Sequence, residues 1–408
     1  MKKRFGLLGT KLGHSFSPLI HEYLGDYEYR LFEVCPQDLD SFMTKRHFDG
    51  INVTIPYKQS VVPYCASLSD EARSSGCVNT IIKDENELLH GYNTDQHGFR
   101  VLLEHSNVDP HKKKALVLGN GGAAKSSKLA LIDLGVREVV TVSRHGNVNY
   151  DNIWHHHDAD IIVNATPVGM YPNNESAPIS LNGFTQLSGV VDMIYNPLRT
   201  KLLLESERLG VQCVNGLIML VAQAEMASRL FLGKPARPNL VDDIASRVLK
   251  KSRNIALIGM PSSGKSTIAR LLAQKMKRPF VDIDNLIEIE AEKSIPKIFA
   301  EEGEEEFRKL ETRVLGEESK KNGIVIATGG GVVTKPDNLY LLRQNSLIIY
   351  LKRELNELAL QGRPLSLHMG VQTIAKQRLP LYEAWSDCIV SVEADPVLTT
   401  VKILEAIS

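Results

Sequence analysis

The stretch Ala256–Ala273, ALIGMPSSGKSTIARLLA, joins an apolar run to a helical one through a glycine turn. Gly259, Gly264, Lys265 and Ser266 stand at the spacing G-x-x-x-x-G-K-S. A phosphate-binding loop of this kind needs a strand leading in and a helix leading out. NIALIG before it is β-branched and apolar, and STIARLLAQKM after it is a good helix. The backbone N–H groups flanking Pro261 and running to Ser266 then face a phosphate at a helix N-terminus. Lys265 reaches the β- and γ-phosphates, the Ser266 hydroxyl holds Mg²⁺, and Thr267 completes the loop around ATP. An earlier stretch, Ala115–Gly135, ALVLGNGGAAKSSKLALIDLG, is also strand, glycine turn and helix. Its glycines are spaced differently, so the two are not copies of one unit. The chain carries two phosphate cradles for two tasks.

Working outward, short apolar runs alternate with helical patterns almost throughout, which predicts an α/β protein with parallel sheets. Strands are expected at RFGLLG, YRLFEV and INVTI, with helices at SPLIHEYLG and PQDLDSFMTKR between them. NTIIKDENELLHGY reads as a hairpin with Asp84–Glu87 at its tip. KALVLG, REVVTVS, ADIIVNA and GVVDMIY follow as a Rossmann-like series, and LIMLVAQAEMASRLFLG is a helix. KPARPNLVDDIASRVLKKSRN, with two prolines, a short amphipathic helix and a basic tail, reads as a linker. The expected domains are 1–236, with a substrate subdomain at about 1–100 plus 216–236 and a cofactor subdomain at about 101–215. A linker over 237–252 and a P-loop domain over 253–408 complete the chain.

A length of 408 residues fits two or three such domains. Lys+Arg and Asp+Glu both total 48, so no basic excess points to nucleic acid. No apolar run is long enough for a membrane span, and the one after MKKR is too short for a signal peptide. The five cysteines are scattered without a C-x-x-C pair, which predicts free thiols in a reducing cytoplasm and no zinc. His155, His156 and His157 are adjacent, so their side chains point apart, and they are read as a solvated loop.

The kinase half shows more than its loop. In FVDID, strand alternation would put Asp282 and Asp284 on one face. GEEEFRKLE brings Arg308, IVIATGGGVV brings Gly329–Gly331, and QGRPLS and KQRLPLYEAW bring Arg363 and Arg378. In their order these signatures resemble shikimate kinase over residues 253–408. The resemblance implies that Asp284, Arg308, Gly330 and Arg378 hold shikimate. It also implies that Asp282 meets Mg²⁺ through water and that Arg363 is a lid arginine closing on the transferring phosphate. The chemistry agrees: arginines grip a carboxylate bidentately, and an aspartate beside the acceptor hydroxyl takes its proton.

The first half carries its own set. GTKLGHSFSP offers Ser15 and Ser17, INVTIPYK places Thr54 and Lys58 at a strand end, and CVNTII and GYNTDQHGF give Asn79 and Asp95. Hydroxyls, amides, one lysine and one aspartate suit a polyhydroxylated ring bearing a carboxylate. REVVTVSR ends in an arginine where an NAD site would carry an acid, which suits the 2′-phosphate of NADP. With NATPVGM, VVDMIYNPLRTKLL and GLIMLVAQA, these motifs resemble shikimate dehydrogenase over about residues 1–240. That resemblance implies substrate contacts from Ser15, Ser17, Thr54, Asn79, Asp95, Tyr195 and Gln223, and a catalytic pair of Lys58 and Asp95. It places Gly119, Gly121, Gly122 and Ala123 along the pyrophosphate and Arg144 on the NADP phosphate. Thr166, Gly169 and Met193 fall near the nicotinamide. Where the family has Asn-Arg-Thr the chain has SRHGNV, which makes His145 a candidate second support. The expectation is a cytoplasmic bifunctional enzyme using NADP(H), ATP and Mg²⁺ on small-molecule substrates. The alternatives are a quinate/shikimate dehydrogenase fused to the kinase and a non-catalytic shikimate sensor.

Overall fold

The alternating apolar runs fold into three sheets in the computed structural model, which describes residues 3–13, 15–355 and 371–407. The first sheet has β1 (Arg4–Gly9), β2 (Glu28–Glu33), β3 (Gly50–Val53), β4 (Ser67–Leu68), β5 (Thr80–Lys83) and β6 (Leu89–Tyr92). Its order is β2-β1-β3-β5-β6-β4. The strand β1 runs parallel to β2 and β3, whereas β5 is antiparallel to β3 and to β6. The last pair is the expected hairpin, and Asp84 Oδ1 accepts the turn amides of Asn86 and Leu88.

The second sheet has β7 (Lys114–Leu118), β8 (Glu138–Val142), β9 (Ile161–Asn164), β10 (Gly189–Asp192) and β11 (Gln212–Val214), in the order β11-β10-β9-β7-β8. The third has β12 (Asn254–Ile258), β13 (Phe280–Asp282), β14 (Val325–Ala327), β15 (Ser346–Lys352) and β16 (Cys388–Ser391), in the order β13-β14-β12-β15-β16. Both are parallel throughout. Residues on β7 and β12 are buried on both faces, which is why these strands read as unbroken apolar runs. Each of these two strands lies between neighbours reached in opposite chain directions. A glycine turn leaving such a strand opens into the crevice where an α/β sheet binds its ligand.

The chain divides into two compact units, Met1–Leu249 and Lys250–Ser408. The linker expected at 237–252 is mostly a helix, Leu240–Ser252. Its apolar face, Ile244, Ala245 and Val248, is buried with Ile20, Leu24 and Val221 in the core of the first unit. The 3.6-residue spacing of that face outweighs the two prolines before it. A second correction concerns FVDID. The strand stops at Asp282, whose carboxylate caps the Asn285 amide at 3.4 Å and starts the helix Ile283–Ala291. Asp284 therefore stands in a first helical turn rather than on a strand face. Among the described residues no helix is long and apolar enough to cross a membrane, and no cluster of three metal-ligating side chains occurs. All five cysteines are free thiols.

Candidate active sites

In the first unit, Lys58 Nζ lies 2.6 Å from Asp95 Oδ2. Lys58 follows β3 in the loop that begins at Thr54, whose N–H is held by the Leu8 carbonyl at 2.9 Å. Asp95 opens the helix Asp95–Glu104 and is fully buried. A buried carboxylate needs partners. Lys58 supplies one, and Asn79 Nδ2 donates to Asp95 Oδ1 at 2.9 Å. Asn79 is held in turn, its Oδ1 accepting the Thr94 amide at 2.8 Å. Ser15 and Ser17 lie 3.1 Å apart through their hydroxyls, at the start of the helix Ser17–Leu24. Burial pushes the Tyr195 phenol above the usual range, and the nearby Ser15 hydroxyl opposes this. Gln223, on the helix Leu217–Leu232, packs its stem against Gly98 one turn from Asp95.

The cofactor turn faces the same pair. Gly119 follows β7 at φ +108°, a conformation that favours glycine. Gly121 caps the helix Gly122–Asp133, and Ala123 sits in its first turn. A Cβ on Gly122 would meet the Cys77 sulfur at 2.9 Å and Lys58 Cδ at 3.8 Å. This places the phosphate-binding helix start directly beside the lysine. Thr166 follows β9, its hydroxyl donating to Asn164 Oδ1 at 2.7 Å. Asn164 Nδ2 donates to Asp192 Oδ1 at 3.0 Å, and Thr200 donates to Asp192 Oδ2 at 2.7 Å. Gly169 lies against Thr200, and Met193 follows Asp192 directly. Burial raises the Asp192 carboxyl to about 6, against the pull of these donors. Arg144 and His145 lie exposed beyond β8, with Arg144 near Tyr150.

In the second unit, Gly264 at φ +90° turns the chain into the helix Lys265–Met276. Lys265 Nζ donates to the carbonyls of Gly259 and Met260, both at 2.9 Å. Ser266 and Thr267 are exposed at the helix start. Beside this loop the chain turns at Gly329–Gly331. A Cβ on Gly330 would collide with the Pro261 ring, and one on Gly331 with the Arg308 guanidinium. The triple glycine is the space these groups occupy. Asp284 Oδ1 and Glu311 Oε1 both approach Gly329. Arg308 and Arg378 are each about 5% exposed or less, and Arg378 Nη1 donates to the Gly330 carbonyl at 3.0 Å.

Two members of this second site lie outside the sequence expectations. Glu311 is fully buried and bonds Arg308 Nη1 at 2.6 Å through Oε2, while Oε1 has no hydrogen-bond partner. Burial pushes its carboxyl up, and the Arg308 charge opposes this. Tyr382 donates to the Gly330 carbonyl alongside Arg378. Its phenol is pushed up, chiefly by burial, so it remains a donor. Asp282 lies at the end of β13 as the helix cap described above. Arg363 lies outside the described residues.

Comparison with known proteins adds independent findings. A family model described as shikimate kinase matches residues 261–408, and one described as shikimate dehydrogenase substrate binding domain matches residues 7–81. The shikimate dehydrogenase (NADP(+)) of Clostridium beijerinckii is 37% identical over 247 residues, covering 56% of this chain and 91% of that relative. The shikimate 5-dehydrogenase of Thermus thermophilus, solved with NADP(H) and shikimate, matches with TM-score 0.55 and 31% identity, over 60% of this chain and 99% of that one. A quinate dehydrogenase of Corynebacterium glutamicum, solved with NAD, matches with TM-score 0.56 and 28% identity, over 61% and 99%.

Proposed function

The chain belongs to the shikimate dehydrogenase family and carries a shikimate kinase domain over residues 261–408, and from that premise we propose how its two sites work. It is a bifunctional shikimate-pathway enzyme, using NADP in the first unit and ATP with Mg²⁺ in the second. Its reactions are the reversible reduction of 3-dehydroshikimate to shikimate and the phosphorylation of shikimate to shikimate 3-phosphate.

The residues fit these cofactors. The open space at Gly121 leaves room for a pyrophosphate against a helix N-terminus, and the turn at Gly264 does the same in the second unit. Bound NADPH supplies the hydride and bound Mg-ATP supplies the phosphoryl group. In the first unit, Ser15, Ser17, Thr54, Asn79, Tyr195 and Gln223 hold the substrate's carboxylate and hydroxyls. As the ketone carbon becomes tetrahedral, its oxygen gains negative charge. Lys58 Nζ stabilises that charge and delivers the proton, while Asp95 keeps the ammonium charged and aimed. Arg144 takes the cofactor's 2′-phosphate, and Thr166, Gly169 and Met193 line the nicotinamide side.

In the second unit, Arg308 and Arg378 grip the shikimate carboxylate, and the Gly330 backbone lies against the ring. Asp284 orients the 3-hydroxyl and accepts its proton. Ser266 and Asp282 would hold the metal, and Lys265 and Arg363 would neutralise the charge of the phosphate. The observation that carries the whole reading is the pairing within one chain of a Lys58–Asp95 contact at 2.6 Å beside a dinucleotide turn with a second phosphate loop flanked by two buried arginines.

The experiment gives purified protein 3-dehydroshikimate, NADPH and Mg-ATP, and follows NADPH absorbance and product mass. Shikimate 3-phosphate is expected only when both cofactors are present. Binding of shikimate with neither reaction would make the chain a sensor instead. The likeness to a quinate dehydrogenase raises one further reading, that the first unit also oxidises quinate. Turnover on quinate and shikimate, measured side by side, separates the two specificities.

A further inference from the structure

The Lys58–Asp95 pair is the end of a longer chain of hydrogen bonds that the residue roles above do not use. The Tyr29 hydroxyl donates to Asn52 Oδ1 at 2.8 Å. Asn52 Nδ2 donates to Thr80 Oγ1 at 3.1 Å, and Thr80 Oγ1 donates to Asn79 Oδ1 at 3.1 Å. Asn79 Nδ2 then donates to Asp95 Oδ1, as described. The chain crosses the first sheet from β2 through β3 and β5 to the helix that Asp95 opens. At its far end Tyr29 stacks on His21 with ring centroids 3.7 Å apart.

The proton order along this chain is fixed by chemistry. The Thr94 backbone N–H, which can only donate, meets Asn79 Oδ1 at 2.8 Å and fixes that amide, and the links back to the Tyr29 hydroxyl take their direction from it. The Asn52 N–H occupies a lone pair of the Thr80 hydroxyl, whose one proton is then directed to Asn79. The Asn79 amide is held with its N–H groups towards Asp95 by two donors on its Oδ1, the Thr94 backbone amide at 2.8 Å and this Thr80 hydroxyl at 3.1 Å. Hydrogen bonds running in one direction polarise one another, and this run ends on a carboxylate. Thr80 and Asp95 are fully buried and Asn79 nearly so, which leaves no solvent to replace a lost link. The groups nearest the carboxylate are otherwise plain. Lys58 is its charged partner, the helix Leu217–Leu232 turns Met219 and Gln223 to this end of the Asp95 helix, and Asp133 is already taken by Gln96 and Arg100.

We propose that Thr80 and Asn52 are positioning residues of the dehydrogenase site, acting through Asn79 to hold Asp95 in the orientation that aims Lys58 at the substrate oxygen. The proposal rests on the dehydrogenase reading of this site. It differs from a packing role because it concerns one proton rather than a shape.

The test replaces Thr80 by Val, which keeps the shape and removes the donor, and by Ser, which keeps the donor. Shikimate oxidation with NADP⁺ is measured for both. Thr80→Val is expected to lower kcat about tenfold, the worth of one buried hydrogen bond to a polar partner, with KM for NADP⁺ unchanged. Thr80→Ser should stay within about twofold of the wild type on the same scale. In an Asp95→Asn background, whose residual rate is measured first, Thr80→Val should have no further effect. An unchanged kcat in Thr80→Val, an equal loss in Thr80→Ser, or full additivity in the double variant would each overturn the proposal. Should Thr80→Val fail to fold, Tyr29→Phe removes the first donor of the chain. It is expected to cost about threefold in kcat, again with no further loss beside Asp95→Asn. A wild-type protein that does not reduce NADP⁺ with shikimate would instead sink the dehydrogenase reading, and this proposal with it.

Discussion

Beside the Lys58–Asp95 pair the polar partners are neutral: the amide of Asn79, held in turn by the hydroxyl of Thr80. Around Gly329–Gly331 they are charged, with Arg308, Arg378, Glu311 and Asp284 drawn together over a few residues of backbone. Both are read as sites for the same small acid, so the contrast is one of means. On the proposed reading, the first site keeps one ion pair for chemistry and binds with neutral groups. The second would bind with charge, and it buries the Glu311 carboxylate against Arg308. Neutral donors cost little when one is lost, whereas a buried charge stranded without its partner costs several kcal/mol.

The sharpest way to break this comparison is to remove each site's lysine. Lys58→Ala should lower 3-dehydroshikimate reduction by about a thousandfold and leave phosphorylation of added shikimate near normal. Lys265→Ala should do the reverse by a similar factor, roughly a thousandfold. Rates of both reactions on each variant decide it. Loss of both activities from either change, with the fold intact by circular dichroism, would mean that the two sites are not independent.

Next in size is Glu311→Gln. The change keeps the shape but leaves the buried Arg308 guanidinium with only the exposed Glu304 carboxylate as its ion-pair partner on that helix, a loss of about 2 kcal/mol in unfolding free energy. The kinase KM for shikimate should rise about tenfold, because the arginine that grips the carboxylate loses its anchor. Denaturant melts and kinase kinetics read the two effects. A variant as stable as the wild type would show that the charge cluster is less dependent on its counter-ion than the geometry implies.

Asp192 is, like Asp95, a fully buried carboxyl of the first unit, and it carries a signature in pH. Its pKa rises from 3.8 to about 6 because burial disfavours the ionised form. Folded protein thus holds this proton more tightly than unfolded protein does. Its stabilising contribution is fully present below the unfolded value and is lost as pH rises through the folded one. The difference amounts to roughly 3 kcal/mol between pH 3.8 and pH 7. Asp192→Asn can keep the Asn164 and Thr200 contacts, with the Thr200 hydroxyl turned round, and should remove this slope. The measurement is the difference in unfolding free energy between wild type and variant from pH 4 to pH 7. A constant difference would show that Asp192 does not titrate there.

The same contrast governs what the sequence discloses. Motif residues such as Lys58, Asp95, Gly119, Gly264, Lys265 and Arg308 sit on strand ends, glycine turns and helix starts, where spacing alone signals a site. The three sheets follow from apolar runs bounded by such turns. Glu311 gives no signal, because in GEEEFRKLE it looks like any i,i+3 partner on an acidic helix face. Only packing against Gly329 reveals that it is buried. Asn52 and Thr80 are hidden inside strands whose pattern speaks of packing, while their hydrogen bonds run across three strands. The amphipathic stretch at 240–252 reads as a linker because a helix face has no address until the core it covers exists. Strand alternation misplaces Asp284 because a capping aspartate, Asp282, has already ended the strand.

The smallest expected effect lies where the first site is most open. Arg144 and His145 are exposed beyond β8, so solvent screens whatever charge they bring to a cofactor phosphate. An arginine can form two parallel bonds to a phosphate, whereas an exposed imidazole offers one. Arg144→Ala should therefore raise KM for NADPH about tenfold while leaving KM for NADH unchanged. His145→Ala should raise KM for NADPH by about twofold. Steady-state kinetics with both cofactors make the test. An NADPH KM that ignores His145 would leave Arg144 alone to read the phosphate. An NADH KM that rises with Arg144→Ala would show the arginine supporting the loop rather than the 2′-phosphate.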